Sequence, residues 1–356
     1  MIKRTVTLAE LGLPAQLPLP KRQDWGIGMV GYGGFGAGSH APAYRQLGWN
    51  IVAVCDPSPQ AQTRAREDGV PFITGELEEF LHHPGLEVVD LQTQPNLRPA
   101  IVTAAAACGL PIATAKPLGL SWDDCQSLAA TARSHGTRFS VHQNYRWMPA
   151  PYAARALVDA GLLGTLHHAS IEHFGDQDRS LAGHPYYSVV EDFITVQWNN
   201  HFVDLLRFWT GHDAHRVWTR TGRAANQNFV GDNLLHSLHD FGPGLTGHII
   251  HSELLRSGLQ GSVCRLDGDL GSVTFGIWDR TLHLQCEATG PDPVELDVSP
   301  LARVESVAAS MANLLIALEE GHEPMVTADG NLPTMATVFA EYTSAQRGGE
   351  WVAVGG

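Results

Sequence analysis

The stretch that decides the fold is Gly31-Tyr32-Gly33-Gly34-Phe35-Gly36. It follows a short apolar run at 27–30 and precedes a helical stretch around 42–47. The spacing is G-x-G-x-x-G. The first glycine permits a tight turn, the second lets backbone approach a pyrophosphate, and the third allows close packing of helix on strand. The helix that follows turns its partly positive N-terminus toward the anion. Alone this spacing is a weak signal, but a second apolar run, 51–55, ends at Asp56, 20 residues beyond Gly36. A carboxylate there accepts hydrogen bonds from both hydroxyls of an adenosine ribose and repels a 2′-phosphate. Pro57, Ser58 and Pro59 come next, with no basic residue among them. The local chemistry therefore predicts NAD in preference to NADP.

Outward from this stretch, apolar runs at 88–91, 111–114 and 138–142 alternate with helical patterns near 60–68, 98–108 and 121–135. Pro99 falls in a first turn, where its missing N–H costs little, and Gly109 marks a stop. Ser121-Trp122-Asp123-Asp124 opens the third helix with a capping arrangement, and His135-Gly136 closes it. Strands alternating with helices predict a parallel, doubly wound α/β sheet. The rhythm changes near residue 150. A helix is expected over 151–160. Segments of period-two texture follow at 166–174, 216–221, 233–241, 246–254, 262–266, 272–277 and 281–286. That texture predicts a mostly antiparallel, open sheet in an α+β domain. Two helices, 304–319 and about 333–345, end the chain. The expected division is an N-terminal extension at 1–24, surface-packed or partly mobile because of Pro14, Pro18 and Pro20, a Rossmann domain at 25–147, an α+β domain at 148–332 and a tail at 333–356 that packs back on the body.

Composition narrows the function. The 356 residues are 44% hydrophobic and 17% charged, enough to build two cores. Lys and Arg number 23 against 37 Asp and Glu, a net charge of −14. That balance argues against nucleic acid as a partner, since phosphate-backbone affinity needs clustered cations. No apolar run reaches the roughly 20 residues of a membrane span. The N-terminus does not read as a secretory signal. Five cysteines, at 55, 108, 125, 264 and 286, form no Cys-x-x-Cys pair, which fits reduced thiols in a cytoplasmic protein. No metal site is expected. His236 and His239, like His248 and His251, are three apart and would face opposite sides of a strand.

Further segments fall into a recognisable order: Thr93-Gln94-Pro95-Asn96, Ala115-Lys116-Pro117-Leu118-Gly119, Gln143-Asn144-Tyr145-Arg146-Trp147-Met148-Pro149, His201-Phe202-Val203-Asp204-Leu205-Leu206-Arg207, Thr327-Ala328-Asp329-Gly330 and Tyr342-Thr343-Ser344-Ala345. From about Trp25 to Val354 the set resembles the glucose–fructose oxidoreductase / inositol dehydrogenase / rhizopine-catabolism (Gfo/Idh/MocA) family. The resemblance implies a nicotinamide cofactor in the first domain, held by Gly31, Gly33, Gly34, Phe35, Gly36, Asp56, Thr93, Pro95, Asn96, Ala115, Lys116 and Asn144. It implies a sugar, polyol or sugar-derivative substrate and a homo-oligomer, dimer or tetramer, formed through the C-terminal sheet. It also puts Lys116, the lysine of a Glu-Lys-Pro motif, beside nicotinamide and substrate, and makes His201 the acid/base. The sequence departs from the family pattern at Ala115, where Glu usually precedes the lysine. It departs again at Pro99, where a histidine often follows the Thr-x-Pro-Asn turn, and at Gln197, which replaces the Asp four residues before the histidine.

Hydride transfer from a secondary alcohol needs a geometry that NAD and the protein supply together, and a group that takes the hydroxyl proton. Lys116, just past a strand end and biased to extended backbone by Pro117, is expected to orient the hydroxyl and assist its deprotonation. Desolvation and the nicotinamide cation would lower its pKa toward neutrality. His201 is the expected general base, meeting Lys116 across one crevice. Gln197 can only orient a substrate, because an amide does not exchange protons at neutral pH. Tyr145, Arg146 and Tyr187 complete the expected substrate contacts, with a structural ion pair as the alternative for Arg146. Two other functions stay open: an NAD-assisted glycosidase, and a non-catalytic member that senses NAD and sugar, suggested by the carboxylates missing at Ala115 and Gln197.

Overall fold

The computed structural model describes residues 4–355. Described from residue 4, the N-terminal extension takes the packed one of its two expected forms. Its first strand, β1 (Thr5–Thr7), pairs in parallel with Glu295–Asp297 at one end of a large sheet. Val6, Leu8, Leu13 and Leu17 are all buried. The prolines set the path of this segment, but its leucines anchor it, and apolar burial outweighs the turn-forming composition.

The chain forms two compact units. One comprises residues 17–144 and 304–332. Its sheet contains β2 (Gly26–Val30), β3 (Asn50–Cys55), β4 (Phe72–Thr74), β5 (Val88–Leu91), β6 (Ile112–Ala115) and β7 (Phe139–His142), all parallel, in the order β4-β3-β2-β5-β6-β7. Counted within the unit, this is the 3-2-1-4-5-6 order of a dinucleotide-binding sheet. The crossovers carry α1 (Ala41–Gln46), α2 (Pro59–Glu67), α3 (Leu77–Leu81), α4 (Arg98–Ala107) and α5 (Trp122–His135). Ser58 and Ser121 cap α2 and α5 through their side chains. The short β4 and α3 had no sign strong enough to be predicted.

The helix Ser306–Glu320 belongs to this unit, not to the α+β domain in which it was expected. Its Val307, Ala308, Met311, Ala312, Leu314 and Leu315 join Ile27, Met29, Tyr44, Trp49 and Val54 in one core. Each large apolar side chain buried there contributes about 1.5–3 kcal/mol. Polar contacts fix the helix further: Ser310 Oγ lies 2.9 Å from His142 Nδ1, Asn144 donates to Ser306 Oγ at 2.9 Å, and Ser140 bridges to Thr327. The helix returns from more than 160 residues away, so no local pattern announces its partner.

The other unit comprises the segment up to residue 16, residues 145–303 and those from 333 onward. It holds β8 (Leu166–Phe174), β9 (Arg216–Gly222), β10 (Leu234–Asp240), β11 (Thr246–Ser252), β12 (Gly261–Gly268), β13 (Gly271–Phe275), β14 (Thr281–Cys286), β15 (Val294–Asp297) and β16 (Val352–Ala353). The order is β1-β15-β14-β13-β12-β8-β11-β10-β9-β16. Among the described residues, only β1·β15 and β8·β11 pair in parallel in this sheet. The expected strands are present; β15 and β16 were not anticipated. One face carries α6 (Pro149–Asp159) and, after the short α7 (Gln177–Ser180), α8 (Asn200–Thr210), a helix buried almost all round. Trp209 ties α8 to α6 by donating to Pro151 O at 3.1 Å. The last helix, Ala328–Gln346, starts upstream of Pro333, where a start had been expected.

Candidate functional site

In the first unit the strand order reverses between β2 and β5, and ligands of such sheets collect at the carboxyl ends of the strands around that point. The glycine loop leaves β2 there. Gly31 has φ +91°, and a Cβ on it would lie 2.8 Å from Gln92 O, so the turn tolerates only glycine. A Cβ on Gly36 would come within 2.5 Å of Gly31 O. Gly33 and Gly34 face open space, which leaves their backbone approachable. Residues Gly36–His40 wind as a wide π turn that runs into α1. Phe35 is 64% exposed. Asp56, just past β3, accepts from the Tyr32 N–H at 2.7 Å and the Ser58 N–H at 2.9 Å. A carboxylate has about four acceptor positions, so it retains capacity for a ribose. Both the cradle and the acidic residue fit a dinucleotide.

Two neighbouring loops extend this edge. After β5, Pro95 is buried at the start of a 3₁₀ turn, Asn96 is exposed, and Thr93 carries a buried Oγ1 with no hydrogen-bond partner among the described residues. β6 ends at Ala115, Lys116 follows it, and the Lys116–Pro117 peptide is cis. Arg98, which sequence reasoning missed, binds the two loops together. It is buried, donates to Thr93 O at 3.0 Å and also bonds Pro117 O. Burial, with the Arg98 charge second, lowers the Lys116 pKa from 10.5 to about 7. An amine so placed holds and releases a proton near neutrality. Asn144 uses its amide to tether Ser306.

Below these loops lies a buried network. Asp90 Oδ2 accepts from Tyr44 Oη at 2.8 Å and faces His40 Nδ1 at 3.0 Å; Oδ1 accepts from Gln92 at 2.7 Å and faces His142 Nε2 at 3.1 Å. Both carboxylate oxygens are thus satisfied, and the network braces α1 against β5 and β7.

In the second unit, a π-wound segment, Phe193–Asn199, precedes α8. Gln197 sits on the former and His201 on the first turn of the latter, so no unbroken α-helical i,i+4 face connects them. Gln197 hydrogen-bonds Asp192, whose pKa burial raises. The His201 ring stacks on Tyr145, centroids 4.0 Å apart and planes within 3°. Trp278 meets Tyr145 edge-on at 6.0 Å, and Trp198 meets His201 edge-on at 6.4 Å. Burial, with the Glu253 charge second, raises the Tyr145 pKa. Tyr187 packs against His184 and Phe193. Arg146 takes the structural alternative: its guanidinium bonds Asp204 bidentately, at 2.6 and 2.8 Å, and lies over Phe208. The pair braces the Asn144–Trp147 turn against α8.

Residues 25–143 match the family described as "Oxidoreductase family, NAD-binding Rossmann fold" (GFO_IDH_MocA). Over 330 residues the chain is 27% identical to a D-apiose dehydrogenase of Paraburkholderia graminis, covering 88% of this chain and 86% of that one. An oxidoreductase of Agrobacterium radiobacter, solved with NAD+, L-tartaric acid and magnesium, is 25% identical with a TM-score of 0.84, covering 93% of this chain and 99% of the other. A levoglucosan dehydrogenase solved with NADH and L-sorbose shares the fold at 17% identity and a TM-score of 0.81, covering 94% of this chain and 99% of that one.

Proposed function

We propose that this chain, whose residues 25–143 match that NAD-binding oxidoreductase family, is an NAD-dependent dehydrogenase acting on a secondary alcohol of a sugar or polyol. The observation that carries this is local to one unit. The glycine cradle, the buried Thr93 hydroxyl and a lysine with a pKa near neutrality line adjacent strand ends of a single sheet. NAD, when bound, supplies the hydride acceptor. Gly31 and Gly36 shape the turn, Gly33, Gly34 and Phe35 present the approachable backbone, and Asp56 takes the ribose. Thr93, Pro95, Asn96, Ala115 and Asn144 form or support the loops beside it. Lys116 holds the substrate hydroxyl and assists removal of its proton. His201, oriented by its stack on Tyr145, is the general base, while Gln197 and Tyr187 position the sugar.

Asp56 favours NAD over NADP, so Asp56→Ala should shift the preference for NAD by about tenfold or more toward NADP, a change of about 1.4 kcal/mol. The reading also includes a homo-oligomer built through the C-terminal sheet and, given five unpaired cysteines, a reducing cytoplasmic setting. Ala115 and Gln197 motivate a second reading, a sensor that binds NAD and sugar without turnover. A panel with D-apiose, levoglucosan and polyols, read as NADH formation, separates the two. Lys116→Ala should lower turnover at least about 100-fold, the lower end of what positioned proton transfer contributes, with NAD affinity unchanged. Unchanged turnover removes Lys116 from the mechanism.

A further inference from the structure

Of the 18 histidines, two converge with a carboxylate in a way no same-strand spacing reveals. β8 and β11 pair in parallel with His173 opposite His251. Both rings turn to the buried face, and Glu253, two residues after His251, shares it. His251 Nε2 lies 2.9 Å and His173 Nε2 3.3 Å from the same oxygen, Glu253 Oε1. The ligand atoms of the three residues all lie within 4.8 Å of one another. From this geometry we propose that His173, His251 and Glu253 form a binding site for a divalent transition metal of the zinc class.

Three observations support it. First, bonds of about 2.0–2.2 Å from zinc to His nitrogen and carboxylate oxygen place tetrahedral ligand atoms about 3.3 Å apart. The two nitrogen–oxygen distances, 2.9 and 3.3 Å, sit close to that edge. Second, the Glu253 carboxylate is buried, and its ion-pair partners among the described residues are those two imidazoles, with no Lys or Arg. A buried anion needs a cation or a set of donors, and a divalent ion held by two neutral imidazoles supplies the charge. Third, the backbone is cut away around the cluster. A Cβ on Gly175 would fall 2.3 Å from Glu253 Oε2 and 2.9 Å from His173 Nε2. Glu253 Oε2 accepts from the Gln177 N–H at 3.1 Å, which orients the carboxylate from outside.

The Asp90 network makes a useful contrast. There also two histidines flank a buried carboxylate, but Tyr44, Gln92 and Ser310 close it with further hydrogen bonds, and it needs no ion. At His173 and His251 the Nδ1 atoms have no hydrogen-bond partner among the described residues, which leave the tautomers unfixed on that side. Nitrogen-rich ligands select zinc, cobalt or nickel over magnesium, which prefers oxygen. The surroundings are aromatic: Phe202 stands 4.8 Å from the His251 ring and Trp278 5.4 Å from the His173 ring. The metal would pin the loop at 175–178 to two central strands, in the wall that also carries Tyr145.

The test uses the full-length chain, stripped by chelator, reloaded with zinc alone, gel-filtered and assayed for bound metal. One zinc per chain is expected. Glu253→Gln and His251→Gln should each weaken binding by about tenfold or more, while His248→Gln, on the opposite face of β11, should leave it unchanged. Should the variants fail to fold, cobalt substitution in the wild-type chain decides, since a tetrahedral nitrogen–oxygen site gives an intense visible band. A wild-type chain that retains no zinc, equal retention by Glu253→Gln and wild type, or a cobalt spectrum matching the aqueous ion overturns the proposal. None of these readouts depends on dehydrogenase turnover.

Discussion

At the residue scale, the account rests on what burial does to one amine. Lys116 loses hydration and feels the Arg98 charge, so its neutral form is populated from about pH 7 upward. The rate of alcohol oxidation should therefore rise through a limb with an apparent pKa near 7, lowered further with the cofactor cation in place. Arg98→Met should move that limb upward, because one of the two groups depressing the pKa is gone; a limb that stays in place would detach Arg98 from proton handling. Gly36→Ala is the complementary case. Its Cβ has no room beside Gly31 O, so NAD affinity measured by calorimetry should drop by about tenfold or more while the other unit keeps its fold. The glycines and Asp56 were legible because each obeys a backbone rule at fixed spacing. Arg98 was not, because its role depends on two loops that meet only in the folded sheet.

At the scale of elements, the buried Arg146–Asp204 pair fixes the turn carrying Tyr145 against α8, which carries His201. Breaking it by Arg146→Met leaves a buried carboxylate uncompensated, and urea unfolding should show a loss of about 3–5 kcal/mol. Asp204→Asn combined with Arg146→Met should recover part of that loss, since no charge is then left buried. Full additivity of the single losses would contradict a direct coupling. The strands and helices themselves were largely readable from periodicity and capping, as at Ser121. The short β4 and β16 were not, because their identity comes from the neighbours they pair with. Gln197 sits in a π-wound segment that no residue spacing announces.

At the scale of the whole molecule, segments distant in sequence complete each unit. β1 covers the edge of β15, so deletion of residues 1–16 should lower the melting temperature and promote aggregation through the exposed strand. The helix Ser306–Glu320 completes the nucleotide-binding core and meets the Asp90 network through Ser310. Burial opposes ionisation of Asp90, but the His40 charge and the hydrogen bonds from His142 and His40 outweigh it and hold its carboxyl well below the usual range. The folded chain thus binds fewer protons there than the unfolded one, whose Asp titrates near pH 3.9. The stability from this group is full above that value and is lost as pH falls below it. Asp90→Asn should destabilise the chain at neutral pH and flatten its acid unfolding curve; an unchanged curve would remove Asp90 from acid stability. No sequence pattern links Asp90 to residue 310, which is why the division of the chain was the least legible part of the fold.

The measurement closest to the central claim is NADH formation by the purified wild-type chain given NAD and a panel of sugars and polyols, run beside Lys116→Ala. The account predicts a substrate that yields NADH in proportion to alcohol consumed, with turnover lost in the variant and NAD still bound by both. NAD binding without NADH from any member of the panel, or equal turnover in the two proteins, would contradict it.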